Sequence, residues 1–128
     1  MLREIVEAFF ASLSSAGLGY PIAWPGTTFT PPASGIWLEP NVLPNTGIDN
    51  GLSNSDTVVP QGLLQVIAWA RPGNGSLTIT EAAETISAIF PKGTQIYGLV
   101  RVQRAPYFTE LDVSGDKLGI MITIPYSQ

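Results

Sequence analysis

Apolar side chains recur at helical spacing in two stretches of the chain, with polar residues between them. The first stretch ends at Gly17, a typical helix stop. The second begins at Thr78, with Glu81 three residues later as in a capping box, and ends before Pro91. Both stretches therefore predict amphipathic helices. Their apolar faces consist of Leu2, Ile5, Val6, Phe9, Phe10 and Leu13, and of Ile79, Ala82, Ala83, Ile86, Ile89 and Phe90.

Other segments alternate between apolar and polar residues, or are apolar throughout, as β-strands do. With the two helices they predict the element order α-β-β-β-α-β-β. Two helices of this length can cover one face of a mainly antiparallel sheet, which is an α+β fold. We expect one domain over residues 1–128. The predicted strands are Tyr20–Trp24, Gly35–Leu43, Gly62–Ala70, Ile96–Arg104 and Leu118–Ile124.

Two long segments, Pro44–Pro60 and Ala105–Lys117, show no clear period and are predicted to be loops that project from the sheet. Loops of this length are usually functional or disordered. Binding residues collect on loops held by a rigid scaffold, so we expect intermolecular contacts here. The candidate contact residues are Ile48, Asp49, Leu52 and Asp56 in the first segment, and Tyr107, Phe108, Glu110 and Asp112 in the second.

The stretch from Tyr20 to Asn45 concentrates proline and tryptophan. Proline fixes φ and lacks a backbone N–H, which excludes a helix and most central-strand positions. Trp24 and Trp37 flank the rigid crossing at Pro31 and Pro32, and could belong either to the edge of the core or to an interface. Trp69 is expected in the core.

Composition changes the picture mainly by exclusion. The 128 residues are 45% hydrophobic and only 12% charged, which is typical of a domain whose surface is partly hidden in an assembly. The net charge of −4 argues against nucleic-acid binding. There is no Cys or His, which removes disulfides, the usual zinc sites and the commonest general base. The chain shows no signal pattern and no membrane-spanning run, so a soluble intracellular domain is expected.

No catalytic set, metal site or cofactor site is predicted. Glu39 is the only carboxylate on a predicted strand flanked by bulky apolar residues, and we expect it to pair with an arginine of its own or a neighbouring subunit. Arg71, Arg101 and Arg104 stand at strand ends, where arginine serves either as an interface residue or as a solvated one. They complete the candidate assembly contacts.

Several segments, in this order and spacing, resemble the tail-terminator family of long-tailed phages. They include the opening helix and extend over nearly the whole chain. Pro44–Pro60 departs from the pattern because it is longer and more polar than expected. The matching pieces are Tyr20–Pro25, Phe29–Pro32, Trp37–Glu39, Gly62–Val66, Pro72–Gly75, Phe90–Gly93, Val102–Tyr107 and Ile124–Tyr126.

The resemblance implies a structural virion protein without catalytic residues. Such a protein forms a homo-oligomeric ring, usually a hexamer, that caps the head-proximal end of the tail tube. Its partners would be itself, the tail-tube protein and the head-tail connector, with no sequence-specific nucleic acid and no membrane. It would assemble in the host cytoplasm and reside in the virion neck. The alternatives are a tail-tube or connector subunit, or a small enzyme or ligand-binding domain that uses the tryptophan pair as a pocket.

Overall fold

The structure is a computed structural model that describes residues 2–31, 35–49, 58–71, 76–114 and 117–127. These residues contain two helices and six strands. The helices each carry one apolar face, as their spacing predicts. In chain order the elements are α1 (Leu2–Ser15), β1 (Ile36–Asp49), β2 (Val58–Ala70), α2 (Ser76–Ser87), β3 (Gln95–Ile96), β4 (Val100–Val102), β5 (Tyr107–Ser114) and β6 (Lys117–Ser127).

The strands form one sheet in the order β1-β2-β6-β4-β3, and β5 also pairs with β6. Every pairing between named strands is antiparallel. β6 lies at the centre, with β2 along one side. On its other side β4 pairs with Tyr126 and Ser127, while β5 pairs with the earlier part of β6. The long β2–β6 ladder therefore forms the centre of the sheet.

The sheet carries two hairpins, β1–β2 and β5–β6. The last pair of the β1–β2 hairpin is Asp49 with Val58, and the last pair of the β5–β6 hairpin is Ser114 with Lys117. β2 and β6 are antiparallel neighbours, so the start of β2 lies beside the end of β6. It follows that the last described pairs of the two hairpins lie at opposite ends of the sheet.

Both helices pack on one face of the sheet, which we call the inner face. Phe9 of α1 packs against Phe90, which follows the end of α2, with their ring centroids 5.4 Å apart. α1 contacts both β1 and β3, the two ends of the strand order, so the sheet curls around the helices. Burial raises the pKa of the Tyr126 phenol above its ordinary value. The inner face includes Leu64, Val66, Ala68 and Ala70 of β2, and Ile120, Ile122, Ile124 and Tyr126 of β6.

The fold class is confirmed: two helices cover one face of a mainly antiparallel α+β sheet. The element order agrees in outline, and the differences have local causes. Tyr20–Trp24 makes a single parallel bridge, Ile22 with Leu38, instead of a strand. Pro21 has no N–H to donate, so this segment is limited to two backbone bonds with Leu38.

The two segments predicted as loops are largely strand. β1 runs on to Asp49 and β2 begins at Val58, with a register shift after Asn45. β5 occupies Tyr107–Ser114. A hairpin ladder is held by backbone groups and needs no apolar period in its exposed parts, which is why composition alone indicated loops. Residues 50–57 lie outside the described residues.

One predicted strand is instead two short strands joined by a turn. Ile96–Arg104 divides into β3 and β4, because Tyr97 and Gly98 both have positive φ, of 50° and 72°. The Leu99 N–H donates to the Ile96 carbonyl across this turn, at 3.0 Å. Helix α2 likewise begins at Ser76, two residues before the predicted cap at Thr78.

Candidate functional site

The predicted contact residues fall into three regions of the sheet. Glu39 and Arg71 lie where β1 begins and β2 ends; Ile48 and Asp49 lie at the end of the first hairpin. The third region joins β4 to β5 and holds Arg101, Arg104, Tyr107, Phe108, Glu110 and Asp112. Leu52 and Asp56 lie outside the described residues, as do the side chains of Ile48, Asp49 and Asp112.

We call the sheet face that points away from the helices the outer face. Its residues form rows that run across neighbouring strands. Side chains directly opposite each other in an antiparallel pair share a face. One row is the pair Trp37–Trp69 followed by Gly119, and the next begins with Glu39 beside Ile67. Two further rows are Asn41, Gln65, Thr123 and Tyr107, and then Leu43, Leu63 and Pro125.

The Trp69 side chain packs on the outer face against Gly119. A Cβ added to Gly119 would lie 2.7 Å from two carbons of its six-membered ring, so the ring covers that glycine. On the other side, the indole N–H donates to Glu39 Oε2 at 2.9 Å. Trp69 is buried, as predicted, but against this face and not against the helices. The Glu39 carboxylate is exposed, and the partner found for it is an indole and not an arginine.

Trp37 stands beside Trp69 and is only 3% exposed. The Arg71 guanidinium carbon lies 5.2 Å from the centre of its ring, within the range of a cation–π contact. Arg71 is thus placed by stacking, and Trp37 is part of the packed structure. Of the two alternatives left open for Trp37, burial favours a packing role.

A cleft of about 560 Å³ lies between this face and residues 20–31, the proline-rich segment. Trp24 anchors the segment to helix α1, with its ring 4.9 Å from that of Phe10. We call this space the tryptophan cleft. Its outer-face wall includes Trp37, Glu39, Gln65, Ile67 and Trp69, and its other wall includes Trp24, Pro25, Phe29 and Pro31.

Strand β5 presents aromatic rings on both of its faces. Tyr107 lies opposite Thr123 on the outer face, and Phe108 lies opposite Ile122 on the inner face. They are 49% and 48% exposed, respectively. Within the described residues β5 pairs with β6 alone, so it forms an edge of the sheet. An edge strand with exposed rings is a surface suited to pairing with another chain.

A further feature was not anticipated from the sequence. The Tyr97 side chain is 62% exposed. Its backbone has a φ of 50°, which is unusual for a bulky residue. It stands at the β3–β4 turn beside a cavity of about 360 Å³ lined by residues that include Arg101 and Gln103. Gly98 between two apolar runs was the available signal, since a glycine is the usual residue where a short hairpin turn needs positive φ. The indole–carboxylate contact of Trp69 had no such signal.

The described residues contain no cluster of three or more metal-ligating side chains. Among the helices described, none has the length and apolarity needed to cross a bilayer. What the described surface offers is aromatic rings, exposed charges and free strand edges, which is the chemistry of protein–protein contacts.

Comparisons with known proteins agree with this surface chemistry. A family model described as "Phage tail terminator protein" matches residues 4–126. Among solved structures, one chain superposes with a TM-score of 0.78 at 28% identity, over 99% of this chain and 94% of that chain. That protein carries no functional name. No curated protein matches the chain at a significant level.

Proposed function

The chain belongs to the phage tail terminator family, and from that premise we propose that it forms a ring that ends the tail tube. Membership makes it a structural component of a phage tail. The proposed ring is a homo-hexamer at the head-proximal end of the tube. It would stop polymerisation of the tail-tube protein and join the tail to the head connector in the virion neck, after assembly in the host cytoplasm.

The observation that carries the proposal is the extent of the family match. It begins at Glu4 and ends at Tyr126, so it includes both helices and the described sheet almost completely. A match confined to one motif would support the fold alone. The family also points to a structural role and away from catalysis, which agrees with the lack of His and Cys in the sequence.

A ring needs contacts between unlike surfaces of neighbouring copies. The chain has two candidate surfaces of this kind. One is the β5 edge with Tyr107 and Phe108, and the other is the β1 edge, of which the Ile22–Leu38 bridge covers only the beginning. Because these edges belong to opposite sides of the β1-β2-β6-β5 pairing, they can face different neighbours.

Contacts with tube and connector require two further surfaces. The last described pairs of the two hairpins, Asp49–Val58 and Ser114–Lys117, lie at opposite ends of the sheet. One hairpin end can therefore contact the tube while the other contacts the connector. This arrangement supports an adaptor that touches two different assemblies at once.

Electron microscopy of the purified protein, alone and mixed with tail tubes, tests the proposal. We expect rings on one end of each tube and an arrest of further tube growth when fresh tube protein is added. Tubes that lengthen normally with this chain present would refute termination. Open filaments made of this chain alone would instead indicate a tail-tube subunit, and binding to connectors without tubes would indicate a connector subunit.

A further inference from the structure

The Glu39 carboxylate is held in a fixed position among aromatic rings. Its Oε2 accepts the Trp69 indole hydrogen bond at 2.9 Å, and the Trp69 ring in turn packs closely against Gly119, which has no side chain to displace it. Glu39 remains exposed, so its charge faces the tryptophan cleft. The cleft thus combines a placed anion with ring surfaces.

A guanidinium group suits this combination better than an ammonium group does. It pairs with a carboxylate through a planar fork and also stacks on aromatic rings. Gln65 lines the same cleft and adds an amide oxygen that can accept one of its remaining N–H donors, whereas Asn41 Oδ1 already accepts the Val42 N–H at 2.9 Å. A volume of about 560 Å³ is ample for one long side chain with its neighbours. The chemistry of the cleft points to an arginine from another chain.

A second copy of this chain can supply that arginine. Arg3 already pairs with Glu7 at 2.8 Å, and Arg71 is stacked on Trp37. Lys92, Arg101 and Arg104 are exposed and form no ion pair among the described residues. Arg101 lies within β4 and Arg104 lies two residues after it, and β2 and β6 separate β4 from β1. One copy therefore carries the tryptophan cleft with Glu39 on one part of its sheet, and Arg101 and Arg104 on another.

We propose that Arg104 of one copy enters the tryptophan cleft of the next and pairs with Glu39. The inference rests on the proposed ring, for which it supplies a head-to-tail contact. Arg104 is chosen over Arg101 because Arg101 lies within β4, with Gln95 and Ser127 opposite it. Arg104 stands at a bend after the strand, within an exposed run, where its side chain can extend to a neighbour.

Charge reversal tests the contact. Glu39→Arg and Arg104→Glu are each expected to reduce ring formation on tail tubes at least tenfold, and the double variant is expected to restore it. Arg101→Glu and Lys92→Glu, combined with Glu39→Arg, serve as matched controls that should not restore rings. Thermal unfolding of each variant separates lost contacts from lost folding.

Chemical cross-linking gives a second test that does not depend on reversing a charge. The chain has no cysteine, so Glu39→Cys with Arg104→Cys introduces the only two thiols. A short bismaleimide should then give a ladder of covalent oligomers, whereas Glu39→Cys with Lys92→Cys should give monomers. The ladder should end at the number of subunits in the ring.

The outcomes distinguish this contact from the ring itself. Wild-type protein that makes no ring refutes the proposed function. If the wild-type protein forms rings and the Glu39→Arg and Arg104→Glu variants still form them, the Glu39–Arg104 contact is refuted but the ring is not. Rescue by Arg101→Glu or Lys92→Glu also overturns it. Loss of tube attachment in Glu39→Arg but not in Arg104→Glu overturns it as well, and would assign the cleft to the tube protein.

Discussion

The outer face of the sheet depends on a few residues whose sizes fit one another. Gly119 has no side chain, and this leaves room for the Trp69 ring to pack closely against it. The ring in turn positions Glu39 through its N–H. Trp37 fills the next position in the row and stacks under Arg71. A substitution at any of these positions changes its neighbours as well.

Replacing Gly119 with Ala is expected to destabilise the protein by about 1–3 kcal/mol, because the new Cβ would overlap the Trp69 ring. Urea denaturation measures the change. Trp69→Leu in the Gly119→Ala background is the control, since a side chain without the ring should make the two effects less than additive. Additive losses would show that the ring does not depend on the glycine.

Replacing Trp37 with Ala is expected to cost about 3–5 kcal/mol, as for other buried tryptophans. Tyr107→Ala is the matched control: it removes an aromatic ring from a strand of the same sheet, but one that is 49% exposed. Its cost should be below about 1 kcal/mol. A Trp37→Ala protein of normal stability that only fails to assemble would place Trp37 in an interface.

At the scale of elements, apolar alternation predicted the strands that are buried and missed those that are not. β2 and β6 form the centre of the sheet, and Leu64, Val66, Ile122 and Ile124 mark their inner faces directly in the sequence. β5 pairs on one side only, so backbone bonds hold it and its side chains carry no clear period. The same applies to the outer part of the first hairpin.

The candidate site was predictable to a similar extent. The sequence singled out Glu39 as the one carboxylate on a predicted strand among bulky apolar residues, and the proline-rich segment as a rigid crossing near Trp24 and Trp37. Trp69, the hydrogen-bond partner of Glu39, is distant in sequence. The contact therefore depends on the register of β1 and β2 and could not be predicted from sequence spacing. The sequence predicted an arginine partner from the same or from a neighbouring subunit; among the described residues the partner is Trp69, so the neighbouring copy remains as the proposal.

The end of the first hairpin can be tested as a separate element. Asp49 pairs with Val58, so replacing residues 50–57 with Asn-Gly closes the hairpin with a two-residue turn. We expect the melting temperature to change little, because the inner face of the sheet is untouched. Attachment to tubes or connectors should be lost if this end carries a contact. Normal tails from this variant would show that it does not.

At the scale of the molecule, the family match and the fold agree on a tail component, while the ring and its partners rest on proposals. Surface composition explains why residues alone do not identify the partners. Aromatic rings and unpaired strand edges indicate that some chain binds there, but their chemistry is shared by many partners. The position of each surface on the sheet is more informative, because it limits which surfaces can contact the same neighbour.

The opposed hairpin ends also determine how the molecule bears tension. A pull between them draws β2 toward Val58 and β6 toward Lys117, in opposite directions along two paired strands. The hydrogen bonds from the Gln61–Ser127 pair to the Ala70–Leu118 pair then share the force at once, in shear, and do not open one by one. We expect single-molecule stretching between the hairpin ends to require a higher force than peeling β6 away from Ser127. A head held to its tail through such subunits would be joined along its strongest direction.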